Sequence, residues 1–254
     1  MTDALNERIA RLEAEIEAVK REMQDLTYTV SHDLRADLRH ILAFAEIVQE
    51  DYAQQLDAEG QSHLATITGA AKHMGKLMDG LLAYSRLGTV PLQPVALDLS
   101  PVVGDICSEL AQRHSGLPLQ WQVAQDLPTV LVDQALFRQA LEYILDNAMK
   151  FSAQRSPACV EVGWEREAAQ DAAPTDPPMA TLWVRDNGAG FNPEMTGKLF
   201  HVFARLHSQR DFEGIGMGLA LTRKIVERHG GKVSAEGVVD AGCCIRVTVP
   251  LACA

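Results

Sequence analysis

Asp186-Asn187-Gly188-Ala189-Gly190 follows the apolar run Thr181 to Val184, so a carboxylate stands at a strand end beside two glycines that allow close backbone approach. A carboxylate there can accept the amino group of a base such as adenine. Downstream, Gly214-Ile215-Gly216-Met217-Gly218-Leu219 opens a helix reaching to about His229, where free N–H groups and the helix dipole favour phosphate. Upstream, Asp133 caps a helix running to Ser152, and Asn147, Lys150 and Phe151 lie along one side of it. An amide oxygen can ligate magnesium, an ammonium group can meet phosphate, and a ring can cover a base. Each segment alone says little. Polar residues near a helix end are usually solvated, turns account for most glycine runs, and this run does not follow a strand as a dinucleotide fingerprint requires.

Around these segments the texture is mixed. Ser100-Pro101 reads as an N-cap with proline at the first helical position, opening a helix to about Arg113. Leu119, Trp121 and Val123 alternate as a strand, and further strands are expected near Val160 to Trp164, Lys232 to Ala235 after the Gly230-Gly231 turn, and Cys244 to Val249. The polar, Pro-rich stretch Ala168 to Pro178 reads as a surface loop. Residues 99–254 therefore form one α+β domain, a two-layer sandwich.

The N-terminal third is different. Leu5, Ile9, Leu12, Ile16, Val19, Met23, Leu26 and Val30 alternate spacings of four and three with charged residues between, a heptad seam over a coiled coil at 1–26. The same pattern also fits a solvated amphipathic helix packed on its own domain. It continues through Leu34, Leu38, Ile41, Ala45 and Val48 to about Tyr52; after a polar turn at Gln54 to Gly60 a second helix carries Leu64, Ile67, Ala71, Met74, Leu77, Leu81 and Tyr84 and stops near Gly88. Residues 27–90 are thus a helical hairpin and 91–98 a linker marked by glycine and proline. Two helices bury too little alone, so two copies are expected to build a four-helix bundle, a homodimer.

Composition narrows the partners. With 254 residues, 47% of them hydrophobic, a net charge of -11 and pI near 5.2, the chain has cores to pack and no basic face for nucleic acid. Five cysteines without CxxC spacing suit a reducing cytoplasm, and no stretch is apolar for the roughly 18 residues a membrane span needs. No membrane segment is expected in this chain. His63, His73, His201 and His207 show no zinc-ligand spacing and read as structural or exposed.

In order and spacing the chain resembles the ATP-binding domain of the histidine kinase family, within the ATPase group that includes Hsp90 and DNA gyrase. The blocks are Asn147 to Phe151, Asp186 to Gly190, Phe200 with Phe203, and Gly214 to Gly218. The resemblance implies ATP and Mg2+ as cofactors, with Asn147 ligating magnesium, Asp186 binding adenine, Gly188 and Gly190 forming part of the cofactor site, and Phe151 lining the base pocket. It further implies phosphate contacts from Lys150, Gly214, Gly216, Gly218 and Arg205. Ser31-His32-Asp33-Leu34-Arg35-Ala36-Asp37-Leu38-Arg39 then resembles the family's phosphoacceptor box, in a version typical of phytochrome-type and other kinases with soluble sensor modules. By this resemblance His32 accepts the γ-phosphoryl of ATP, Asp33 fixes its tautomer, and the phosphoryl passes to an aspartate on the receiver domain of a response regulator. An upstream sensor domain or chain is implied as well.

Several positions depart from the family pattern. Asp37 stands where proline is usual, which leaves the helix straighter and adds a negative charge near His32. Ala36 replaces the Thr or Asn of kinases that also dephosphorylate their partner, so weak phosphatase activity is expected. Tyr143 stands where a second asparagine is common, and Gly242-Cys243-Cys244 replaces a Gly-x-Gly or Gly-Thr pattern. Asp37 and Tyr143 support an alternative, a pseudokinase that serves as a dimeric signalling scaffold. A gyrase-like ATPase fits less well, because Tyr143 occupies the position of its water-activating glutamate.

Overall fold

The computed structural model describes residues 2–114, 119–167, 177–208 and 211–252, with side chains described from residue 6 onward. The loop expected at Ala168 to Pro178 lies, up to residue 176, outside the described residues, as do Cys253 and the side chain of Leu5. The chain divides into two compact units, Met1–Val90 and Pro91–Ala254.

In the first unit α1 (Thr2–Tyr52) and α2 (Ala58–Arg86) form a hairpin. The turn between them is shorter than the Gln54 to Gly60 turn the sequence suggests. The Asp57 carboxylate accepts the N–H of Gly60 at 2.8 Å, and this cap draws Gly60 into the first turn of α2. Leu38, Ala71 and Met78 are buried together with Leu42 beside them, and Ala45 and Leu82 are buried as well. Arg35 Nη2 reaches Asp79 Oδ1 at 2.6 Å across the hairpin. Each apolar stripe is only partly used by this contact: Leu34, Ile41, Ile67 and Met74 stay exposed, and Leu12, Ile16, Val19, Met23 and Leu26 of the heptad seam are 50–66% exposed.

The second unit is a mixed five-stranded sheet covered on one face by helices. In chain order it contains β1 (Pro94–Asp98), α3 (Leu99–Arg113), β2 (Leu119–Val123), β3 (Thr129–Asp133), α4 (Gln134–Ser152), β4 (Ala158–Arg166) and β5 (Met179–Asp186). A short 3-10 helix (Pro193–Lys198), α5 (Gly218–Arg228), β6 (Lys232–Val238) and β7 (Gly242–Pro250) complete it. The sheet order is β2-β4-β5-β7-β6, with β2 and β4 parallel and the other pairs antiparallel. Val160, Val162, Leu182, Val184, Ile245 and Val247 point from its inner face into one core with Val103, Ile106, Phe137, Leu141, Ile144 and Val226 of the helices. Burial along β4, β5 and β7 follows the alternation of apolar residues, with Gly163, Thr181 and Cys244 buried on the opposite side as well.

The structure differs from the sequence pattern at two places ahead of α3. Pro94–Asp98 is a strand, paired antiparallel with β3, where a linker over 91–98 was expected; Pro94 opens it and does not interrupt its ladder. The helix after it is capped by Asp98, whose carboxylate accepts the N–H of Ser100 at 3.0 Å, so Ser100 and Pro101 lie inside α3 rather than at its start. The Asp133 cap of α4 is as expected, with Leu136 N–H donating to its carboxylate at 3.1 Å.

Candidate functional site

The C-terminal half of α4, the turn after β5 and the segment before α5 meet at one end of the sheet. Asn147 and Lys150 are one turn apart on α4, and Lys150 Nζ donates to Asn147 Oδ1 at 2.9 Å. The same ammonium lies 4.4 Å from the centre of the Phe151 ring. Burial holds Lys150 below the usual lysine range, opposed by the charge of Asp146 and assisted by that of Arg205.

Asp186, the last residue of β5, is 7% exposed. Its Oδ1 accepts the N–H groups of Gly188 at 2.9 Å and Cys243 at 3.2 Å. Burial raises its pKa to about 6 despite these two bonds. The turn is pressed against α4: Ala189 N–H donates to Phe151 O at 3.2 Å, and a Cβ on Gly188 would lie 2.5 Å from that same oxygen. Any other residue at Gly188 must push the Asp186 turn away from α4. Asn187 turns outward, donating to Pro157 O and accepting from the N–H of Cys159, so it ties the turn to the loop after α4.

The glycine-rich segment comes to the same place. Gly214 stands beside Lys150 Nζ, and Gly216 holds φ +71 against the carbonyl of Ala204, where a side chain would collide with the main chain. Gly218 is the first residue of α5 and lies against the Tyr143 ring. The structure thus brings Asn147, Lys150, Phe151, Asp186, Gly188, Gly190, Gly214, Gly216 and Gly218 to one region. Arg205 is placed differently from a free phosphate ligand: its guanidinium donates to the carbonyls of Gly214 and, at 2.9 Å, Phe212. Of the phenylalanine pair, Phe200 packs on the core and Phe203 is 41% exposed.

Three groups at this site were not singled out by sequence. His207 and Phe212 pack their rings on Phe151 at 5.2 and 4.8 Å, and His207 Nε2 bonds Gly190 O at 2.8 Å. Because a carbonyl only accepts, this bond places the proton on Nε2. The third is Arg155, whose Nη2 donates to Gly188 O. An aromatic and a histidine shortly before a glycine-rich run hint at a ring cluster, whereas no local pattern marks Arg155.

In the first unit His32 is well exposed, and its Nδ1 lies 3.2 Å from Asp33 Oδ1. Tyr28, one turn earlier, stacks on it at 6.4 Å between ring centres. An Nδ1–H shared with Asp33 leaves the lone pair on Nε2. Among the described residues no cluster of three or more His, Cys, Asp or Glu is placed to hold an ion. A single amide oxygen such as that of Asn147 fits magnesium that keeps its waters and arrives on phosphates.

Comparison with known proteins places both units. Residues 132–252 match the family described as Histidine kinase-, DNA gyrase B-, and HSP90-like ATPase, and residues 22–89 match the His Kinase A (phospho-acceptor) domain. Cyanobacterial phytochrome B of Nostoc sp. is 33% identical over 237 residues, 93% of this chain and 30% of that protein. The methanogenesis regulatory histidine kinase FilI of Methanothrix harundinacea is 33% identical over 246 residues, 97% of this chain and 26% of its own length. The chain therefore spans about a quarter to a third of the length of these relatives. The fold is also that of full-length ShkA in complex with AMPPNP, with TM-score 0.62, 24% identity, 91% of this chain and 46% of that one covered. Acinetobacter baumannii histidine kinase AdeS is matched with TM-score 0.57 and 19% identity, covering 87% of this chain and 98% of that one.

A phosphoacceptor-type helical hairpin followed by an ATPase sandwich defines the class. The chain belongs to the histidine kinase family and is the catalytic core of a sensor histidine kinase. Among the described residues no helix is long and apolar enough to cross a membrane.

Proposed function

We propose that this chain binds ATP with magnesium, transfers the γ-phosphoryl to its own His32, and passes it to an aspartate on the receiver domain of a response regulator. The observation that carries the reading is the meeting of Asn147, Lys150 and Phe151 with the Asp186 turn and the glycine-rich segment, in a chain that also exposes His32 beside Asp33.

In this reading Asp186 accepts the adenine amino group while Phe151 covers the base. Lys150 turns from Asn147 toward the phosphates, which frees the amide oxygen for magnesium. Magnesium offsets phosphate charge when bound, so the protein chiefly positions the reactants. His32 Nε2 attacks the γ-phosphorus, the bond to the bridging oxygen breaks, and ADP leaves. The Nδ1 proton stays shared with Asp33, which stabilises the positive charge that forms on the ring. The phosphoryl then moves from nitrogen to the carboxylate of the receiver.

The exposed seam from Ile9 to Leu26 supports a homodimer, and an upstream sensor domain or chain supplies the signal, in the cytoplasm. Ala36 offers no side-chain group to position water, so phosphatase activity is weak. A scaffold without phosphoryl transfer is the second reading; it is favoured by Tyr143, whose ring stands against Gly218 where an amide is usual.

Incubation of wild type and His32→Gln with γ-labelled ATP and magnesium separates the two. Acid-labile, alkali-stable label on the wild type and none on the variant supports the kinase. No label on either, with nucleotide still bound, supports the scaffold.

A further inference from the structure

The carboxylate of Asp186 is useful only if the turn that follows it is held still, and one side chain outside every recognised motif does this. Arg155 lies in the loop between α4 and β4. Its Nη2 donates to Gly188 O at 3.1 Å and to Asp240 O at 2.8 Å, with Asp240 Oδ1 at 3.2 Å. The guanidinium therefore bridges two turns, 186–190 and the tip of the β6–β7 hairpin. These turns also touch directly: Asp240 N–H donates to Ala189 O at 2.8 Å, and Cys243 N–H donates to Asp186 Oδ1. The Asp240 side chain is 82% exposed, so its ion pair with Arg155 is weakened by water. The two main-chain carbonyls are the contacts that count, because a charge-assisted bond to each fixes where the turns stand relative to one another.

We infer that Arg155 is a positioning residue of the nucleotide site, which acts on bound nucleotide through the Gly188 and Asp240 carbonyls and never touches it. The inference rests on the nucleotide-binding reading above. Loss of the guanidinium loosens the turn on the adenine side while Asn147, Lys150 and His32 keep their places. Base binding then suffers and the transfer step does not. All of these bonds leave the one nitrogen Nη2, and a lysine ammonium, on a shorter stem and without the fixed planar N–H directions, restores the bridge only in part.

The test uses the full chain, with the Kd for ADP by calorimetry and the KM for ATP and kcat of His32 labelling. Arg155→Met raises Kd and KM about tenfold, the scale of a lost charge-assisted bond, and changes kcat at saturating ATP less than about twofold. Arg155→Lys gives an intermediate rise of about threefold, and this variant carries the test if the methionine chain does not fold. Asp240→Asn, which removes only the exposed charge, changes either constant less than about twofold. Wild-type Kd in Arg155→Met, a kcat that falls as far as KM rises, or wild-type Kd in Arg155→Lys when methionine cannot be read overturns the inference. A wild-type chain that binds no ADP overturns the nucleotide reading itself, and this inference with it.

Discussion

The hairpin unit and the ATPase unit solve the same burial problem in opposite ways. In the ATPase unit Phe137, Leu141, Val103 and Val130 are wholly buried between sheet and helices, and the core closes within one chain. In the hairpin unit the core shared by the two helices is small, while Ile16, Val19 and Met23 stay more than half exposed. A layered sandwich can be complete in one copy. A two-helix hairpin with an exposed heptad seam leaves apolar surface for a second copy, so the first unit is expected to depend on chain concentration and the second is not.

The strongest way to break this contrast is to damage each unit alone. Phe137→Ala removes the largest fully buried ring of the ATPase unit and is expected to cost about 3–5 kcal/mol. Calorimetry should show that unit's melting transition lowered or lost, while analytical ultracentrifugation still finds a dimer. Ile16→Lys acts on the other side: two ammonium groups forced onto an apolar seam weaken the dimer at least about a hundredfold. ADP binding should stay within about twofold of wild type, because the nucleotide residues all lie in the second unit.

A smaller effect is expected at the buried carboxylate of the second unit. Burial raises Asp186 to about 6, above its ordinary value of 3.8, so the proton favours the folded form and ionisation costs stability as pH rises through about 6. In the proposed role nucleotide has the opposite preference, since a charged carboxylate is the stronger acceptor for the adenine amino group and a protonated one can turn an O–H toward it. ADP affinity should therefore fall up to about tenfold per pH unit below about 6 and level off above it. Calorimetry across pH checks this, and Asp186→Asn should flatten the profile. Dimerisation, which uses apolar residues, should not follow that curve.

The contrast also explains what the sequence reveals. A heptad is a local signal, written at spacings of three and four, so α1 and its exposed seam are legible from residue types alone. The Asp133 cap, the apolar run before Asp186 and the glycines before α5 are local too, and the structure places them close to where their patterns imply. The β1–β3 pair was not, because Pro94 to Asp98 is short and follows a run of Pro and Gly residues. Its pairing partner Thr129–Asp133 is distant in sequence. The cap at Asp98 was hidden by Ser100-Pro101, a better-looking cap two residues later. Arg155 leaves no trace in the sequence, since its acceptors are main-chain carbonyls 33 and 85 residues away. His207 and Phe212 join Phe151 only through the fold of the segment ahead of α5.

In the proposed function a nucleotide held by the second unit phosphorylates one residue of the first. The direct measurement is localisation of the phosphoryl group by peptide mapping in alkali after incubation of the full chain with ATP and magnesium. Modification of the His32 peptide alone is expected in the wild type, and strongly reduced modification of it in Asp186→Asn at sub-saturating ATP. Phosphoryl on another residue, or undiminished modification of His32 in Asp186→Asn, would contradict the proposed function.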